Sequence, residues 1–506
     1  FSNILDSANE LIGHNSRRLG KNLRTTQGPG EPVRVFEAVS DLAEAQWMVD
    51  EMRQLVKNDG FPRQQIAVLY RSNAQSRVIE TALFNAAVPY RVYGGLRFFE
   101  RAEIKHALAY LRLLENPHDD TSFLRVVNFP TRGIGARSLE QLQDAARAAG
   151  CSLHDAVSSL PGRAGSNIAA FVAKLDVLRE NTRGLTLREI IEQMLDQSGL
   201  IDHYKADREG ADRVENLEEL VNAAESFVMQ EGFGRDAVAL PIDELRQSPA
   251  SQGIDPSKPV LDEPLREPAA ADLAPDADTG EALSPLAAFL THAALEAGDN
   301  QAQAGQDAIQ LMTVHSAKGL EFDCVFITGM EEGLFPHENS LSDRDGLEEE
   351  RRLMYVAITR ARQRLYLTHS QTRMLHGQTR FNPKSRFFDE LPEAALKWIT
   401  PKRSAFGGNA PGSIARNDRF TSGNGHFGLK NSPDYDKFAS PPVPPQKAKP
   451  SHGLTLGMQV FHGKFGEGTV LLLEGAGDDA RAQINFPRHG VKWLALSVAK
   501  LTPVPQ

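Results

Sequence analysis

Only two cysteines occur in 506 residues, Cys151 and Cys324, with no CxxC pair and no His/Cys cluster at zinc-finger spacing. Their scarcity excludes a disulfide framework, gives no sequence sign of a metal site, and suits a reducing compartment. Long apolar runs are missing too: none approaches the ~18 residues that span a bilayer. The opening FSNILDSANE has neither the basic start nor the apolar centre of a secretory signal, so a cytoplasmic location is expected. The chain starts without Met, partway into a helix-like pattern, and the expectation is an N-terminal truncation. No stretch matches G-x-x-x-x-G-K-[ST], the loop that cradles nucleotide phosphates. An excess of basic charge is also lacking, with 56 Lys and Arg against 66 Asp and Glu and a formal charge of −10. That excludes a uniformly basic coat but leaves local grooves open.

What is present suffices for about three domains, since 506 residues with 41% apolar content supply several cores. Two stretches differ from the rest in composition. Residues 235–285 carry 11 acids against 4 bases and many prolines, which predicts a disordered acidic insertion. Without its −7 the remainder carries only −3, so local basic patches are not swamped. Residues 396–453, rich in Gly, Pro, Ser and Asn, predict a flexible linker to a final module at 454–504. No internal repeat is evident.

Elsewhere strands and helices alternate. PVRVFEA and QIAVLYR flank DLAEAQWMVDEMRQLV, where Leu42, Ala45, Met48, Val49, Met52, Leu55 and Val56 share one helical face. Asp41 with Glu44 predicts a capping box at its start. AIQLMTVH, CVFITGM and LYLTH predict further strands, giving an α/β domain with a parallel sheet in two pieces, 1–93 and 306–395. Between the pieces, residues 94–305 predict an inserted helical subdomain. In the last module FHGKFGEGTVLLL and AQINFPRHGVKWLAL alternate like a small barrel, with Gly466 and Gly468 at a tight bend and local charge from Lys464, Arg488, His489 and Lys492.

Chemistry concentrates in two segments. In LMTVHSAKGLEFDCVFITGM a strand ends at His315, and Ser316, Ala317 and Gly319 let a phosphate approach backbone N–H groups beside Lys318. Taken alone, the segment reads first as an ordinary strand-to-loop connection with a surface lysine. EEERRLMYVAITRARQRLYL packs Arg351, Arg352, Arg360, Arg362 and Arg364 into one segment, which alone fits a solvated ion-pair face. Met354, Val356 and Ile358 weaken that reading, because a guanidinium beside a buried stretch needs an anion, and a nucleotide γ-phosphate is one. RGIG, around Ile134, reads alone as a helix-to-helix turn.

QLMTVHSAKGLEFDCVFITGMEEGLFP followed by EEERRLMYVAITRAR resembles the fifth and sixth motifs of superfamily 1 DNA helicases of the UvrD/PcrA/Rep kind. AVLYRSNAQSRVIETAL, VPYRVYGGLRFFERAEIKHALAYLRL, FPTRGIGARSLE and RVENLEELV resemble the intervening motifs. The resemblance implies a RecA-like P-loop-NTPase-type second motor domain, the all-α insertion and an SH3/Tudor-like barrel. It implies ATP and Mg²⁺ as cofactors, with the phosphate-cradling loop and most of the Mg²⁺ site in a first domain ahead of this chain. Arg360 would be catalytic at the γ-phosphate, Glu321 would meet the ribose, and Gly319 would adjoin the nucleotide. Thr313, His315, Arg71 and Asn73 would line a single-stranded DNA track, and Gly133, Ile134 and Gly135 would touch duplex ahead of the fork. Implied partners are single strands, single/double-strand junctions, repair proteins, RNA polymerase through the barrel, and a second copy; implied work is 3′ to 5′ unwinding in excision and mismatch repair and in replication, near the nucleoid. A helicase-nuclease subunit of the RecB/AddA kind and a nonenzymatic DNA-binding or transcription-coupling module are the alternatives.

Overall fold

The computed structural model describes residues 1–17, 20, 22–231, 233, 239, 281–298, 302, 305–400, 453–475, 477 and 480–504. The first piece runs through α1 (Ser2–Gly13), β1 (Val33–Ser40), α2 (Asp41–Asn58), β2 (Ile66–Tyr70), α3 (Ser76–Asn85) and β3 (Tyr90–Val92). Helices follow: α4 (Ala102–Glu115), α5 (Asp120–Val126), α6 (Ala136–Ala149), α7 (Leu153–Ala156), α8 (Gly162–Thr182), α9 (Leu187–Gln197), α10 (Leu200–Lys205) and α11 (Ala211–Gln230). After β4 (Glu281–Ala282) and α12 (Pro285–Gly298) the chain returns through β5 (Ile309–Thr313), β6 (Phe322–Ile327), α13 (Glu338–Leu341), α14 (Arg344–Ile358), β7 (Ala361–Leu375), β8 (Gln378–Phe381) and β9 (Leu396–Trp398). The last module holds β10 (Gln459–His462), β11 (Gly466–Glu474), β12 (Arg481–Phe486), β13 (Gly490–Ala495) and β14 (Leu501–Pro503). Among the described residues no helix is long and apolar enough to cross a membrane.

Both pieces build one sheet in the order β3-β5-β2-β6-β7-β1-β9, parallel throughout, with β8 antiparallel to β7. Its central strand β2, IAVLY, is apolar and buried at every position because both faces are covered. In β2, Ile66, Val68 and Tyr70 enter the core under α2 and α3, while Ala67 and Leu69 enter the core against α1 and α14. Leu396–Trp398, placed by composition in the linker, instead pairs with Val33–Val35 as an edge strand. The rest of the expected linker, 401–452, lies outside the described residues.

The capping box expected at Asp41 and Glu44 is a misreading. Ser40 is the cap, its hydroxyl accepting from Ala43 N–H at 3.1 Å. The two acids turn inward: Asp41 accepts from Met374 N–H, and Glu44 accepts from Thr328, Gly329, Thr368 and Arg373. Glu331, fully buried, clasps the same Arg373 from its other side. Hydrogen bonds on nearly every oxygen make such a buried cluster tolerable.

The helical subdomain has its own core, and α11 carries it onto the sheet. Asn216 of α11 donates to Glu103 and accepts from Arg101, Glu219 pairs with Arg77, and Asn222 accepts from Gly377 N–H. The expected disordered insertion 235–285 falls mostly outside the described residues, yet its described parts are ordered. Ala239 is fully buried and its N–H bonds to the Leu185 carbonyl, and Glu281–Ala282 joins β13 as an added strand of the barrel sheet. The barrel, ordered β14-β10-β11-β12-β13-β4, thereby docks on the helices. Trp493 of β13 is 2% exposed, its ring lies 5.9 Å edge-on to Phe233, and Arg481 sits 4.5 Å over the same phenyl.

Candidate nucleotide and nucleic-acid site

The sheet divides the sequence-predicted residues between its two edges. Arg71 follows the carboxyl end of β2, and Thr313 and His315 stand at that end of β5, where open parallel sheets form their crevice. The loop after β5 makes one helical turn, with Ala317 N–H bonding to Thr313 O and Leu320 N–H to Ala317 O. It then delivers Glu321 to the amino end of β6. Arg360 reaches the amino end of β7 directly after α14 ends. Phe322 N–H donates to Arg360 O at 2.9 Å, so Glu321 and Arg360 are neighbours on this opposite edge.

The arginine-rich segment is not all helix. Arg351 and Arg352 lie on α14, Arg360 in the turn beyond it, and Arg362 and Arg364 on β7. Each except Arg360 meets a carboxylate: Arg351 with Glu390, Arg352 with Glu348 and Glu349, Arg362 with Glu321 and Asp323, Arg364 with Asp59. Arg360 donates instead to Val356 O, Leu320 O and Thr359 Oγ1 at 3.0, 2.8 and 3.0 Å. These neutral acceptors fix the guanidinium without cancelling its charge, the condition under which it attracts an anion. Beside it Gly319 has φ +86°, a backbone that side chains rarely adopt, and a Cβ there would meet nothing within 4 Å. Glu321 is exposed on the same rim, 3.5 Å from Arg362.

On the other edge the predicted track residues are partly engaged. Arg71 donates from Nε and Nη2 to Glu350, a carboxylate 1% exposed on α14 that also accepts from His337 N–H and Ser340. Burial would raise that carboxyl, but the Arg71 and His337 hydrogen bonds and the Arg71 charge hold it below the usual carboxylate range. Asn73 donates to Asp212 and Ser72 to Glu215, both on α11. Thr313 Oγ1 lies 3.0 Å from Ser316 Oγ, and His315 is exposed. Glu350 and the α11 acids are the residues the sequence reading missed. The polar positions 212, 215, 216, 219 and 222 recur at helical spacing opposite the apolar face of α11, and that was their only signal.

The GIG loop splits by role. Ile134 is 3% exposed in the helical core, so its side chain cannot face a ligand, and its N–H and that of Arg132 both donate to Asn128 Oδ1. Gly133 (φ +73°) and Gly135 are exposed, and Gly135 starts α6, whose first-turn N–H groups form the positive end of that helix. Arg132 braces the turn from beneath, donating to the carbonyls of Val126, Val127, Pro130 and Ser198 and to Tyr110.

Residues 1–372 match the UvrD-like helicase C-terminal domain and residues 456–504 the PcrA/UvrD tudor domain. DNA helicase II of Salmonella typhimurium is 40% identical over 99% of this chain and 60% of its own length. ATP-dependent DNA helicase PcrA of Bacillus subtilis is 34% identical over 98% of this chain and 60% of its own, and ATP-dependent DNA helicase UvrD1 of Mycobacterium bovis 36% over 96% and 58%. The chain thus spans about 60% of the length of the curated relatives it matches.

Proposed function

The chain belongs to the UvrD-like helicase family, and from that premise we propose that it forms the second motor domain, duplex-contacting subdomain and barrel of an ATP-dependent 3′ to 5′ DNA helicase working in DNA repair and replication. The observation that carries the proposal is the charge of Arg360, held by three neutral acceptors on the sheet edge beside Gly319 and Glu321. In this reading Arg360 stabilises charge on the transferring phosphoryl group, Glu321 orients the ribose, and Gly319 keeps the rim open to the nucleotide. Mg²⁺, bound chiefly by a preceding domain, would neutralise phosphate charge.

On the opposite edge Thr313 and His315 form the single-strand track. Arg71, whose Nε and Nη2 both donate to Glu350, acts there by bracing α14, and so ties the track to the segment that ends in Arg360. That tie is how grip on DNA and closure on ATP would alternate. Gly133, Gly135 and the start of α6 would meet the phosphates of the duplex arm. The charge of Lys464, Arg488, His489 and Lys492 on the barrel supports a partner surface, with RNA polymerase the candidate that family likeness favours.

The test uses residues 1–506 as they stand. Purified, they should bind single-stranded DNA weakly and lose it steeply as salt rises, with no DNA-stimulated ATP hydrolysis. Joined to a P-loop domain of the same family, they should hydrolyse ATP and unwind. Hydrolysis by residues 1–506 alone at a rate comparable to the joined protein would place the nucleotide elsewhere and overturn the proposal.

A further inference from the structure

Two histidines with no part in the motor meet in the helical subdomain. His118 lies in the turn before α5; His154 and Asp155 lie in α7. Asp155 faces both rings at once, with Oδ1 3.1 Å from His154 Nδ1 and Oδ2 3.5 Å from His118 Nδ1. One donor atom from each of the three residues lies within 4.8 Å of the other two. A tetrahedral ion with bonds of about 2.0–2.1 Å sets its donors about 3.3–3.4 Å apart. The Asp155–His154 edge of such a figure is therefore already near length, and the carboxylate's second oxygen stands 3.5 Å from the His118 ring, so closing the figure needs shifts of about 1 Å.

The surroundings are those of a ligand set. On its far side His154 Nε2 lies 2.8 Å from Asp176 Oδ1 of α8, and a carboxylate there fixes the tautomer and makes the other ring nitrogen a better donor. Ser152 caps α7 and lies 2.8 Å from His118 Nδ1, while Asp120 accepts from Leu153 N–H, so both histidine-bearing segments are anchored before any ion arrives. The imidazoles are half-buried and Asp155 is exposed, which leaves an entry path.

We propose that His118, His154 and Asp155 bind a first-row divalent transition-metal ion of the Zn²⁺ or Co²⁺ class, with Asp176 positioning His154 and water completing the coordination. Imidazole with carboxylate suits these ions, whereas Mg²⁺ and Ca²⁺ take oxygen donors. The ion would tie the turn before α5 to α7, clamping the two ends of the segment that contains the GIG loop and α6. The inference does not depend on the motor reading.

The experiment takes the full chain, stripped with EDTA and freed of chelator, and titrates it with Co²⁺ while following visible d–d absorption. Wild type should develop the band at about one equivalent, lose it to Zn²⁺ and keep it in millimolar Mg²⁺. Both His154→Ala and Asp155→Asn should lack it; Asp155 is exposed, so its variant should melt like wild type in EDTA and decides the matter if His154→Ala misfolds. Absence of the band in wild type, or its persistence in Asp155→Asn, would show instead a hydrogen-bonded His–Asp cluster or an ion held elsewhere, and would overturn the proposal.

Discussion

Arg360 differs from the arginines around it in the nature of its partners, and at the scale of single residues that contrast recurs. Buried charges here are either fully matched or carry a cost. Glu331 is matched: burial would raise its carboxyl, yet the charge and hydrogen bonds of Arg373 bring it down to about 2. Its stabilisation is present above the unfolded value of ~4.3 and is lost as pH falls toward 2. Glu80 is the opposite case. Burial pushes it up to about 7 in spite of the Arg101 charge and the Ser76 hydrogen bond, with Glu296 adding to the rise. A raised acid costs nothing below ~4.3, and its penalty grows as pH rises to 7 and then stays constant, at about 4 kcal/mol by upper estimate. Glu80→Gln, which keeps an acceptor for Phe98 N–H, should therefore gain in melting temperature over wild type progressively between pH 5 and pH 7. Thermal melts across that range check it, and a difference independent of pH would refute the charged-form penalty.

Elements show how far the sequence could be read. The parallel sheet was legible because strands covered on both faces are continuous apolar runs, as IAVLY is, and helical period marked α2 between them. Element ends and pairings were less so. Ser40 rather than Asp41 caps α2 because Asp41 and Glu44 are drawn inward by Met374 N–H and Arg373, hundreds of residues away in sequence. Arg71 finds Glu350 by the same kind of long-range closure, and no local pattern announces it. β4 is two residues long, too short to have a period, so nothing in the sequence foretold the strand that seats the barrel. In the GIG loop the spacing was legible but not the burial of Ile134, since an isoleucine between two glycines can point either way. The loop's proposed duplex role makes a prediction at this scale. Replacing Gly135 by Val, where a Cβ meets nothing within 4 Å, should spare folding but shield the start of α6. Measured by anisotropy, affinity for forked DNA should fall several-fold more than affinity for single strands; equal losses on both would remove the duplex role.

Across the whole molecule, three bodies are joined by specific contacts rather than by composition-rich spacers alone. α11 fastens the helical subdomain to the sheet domain through Asp212, Glu215, Glu219 and Asn222, and Trp493 with β4 fastens the barrel to the helices. Arg71 and Glu350 link the two sheet edges through α14. In the proposed function this frame holds Arg360 where a nucleotide's terminal phosphate meets it from another domain. The most direct test is Arg360→Ala in a protein that also carries the P-loop domain, with DNA-stimulated kcat for ATP and single-strand affinity measured side by side. An arginine acting on the transferring phosphoryl group is worth ~10³ or more in rate, so kcat should fall by about that factor while DNA affinity stays within a few fold. Turnover near that of wild type, with DNA binding intact, would contradict the account.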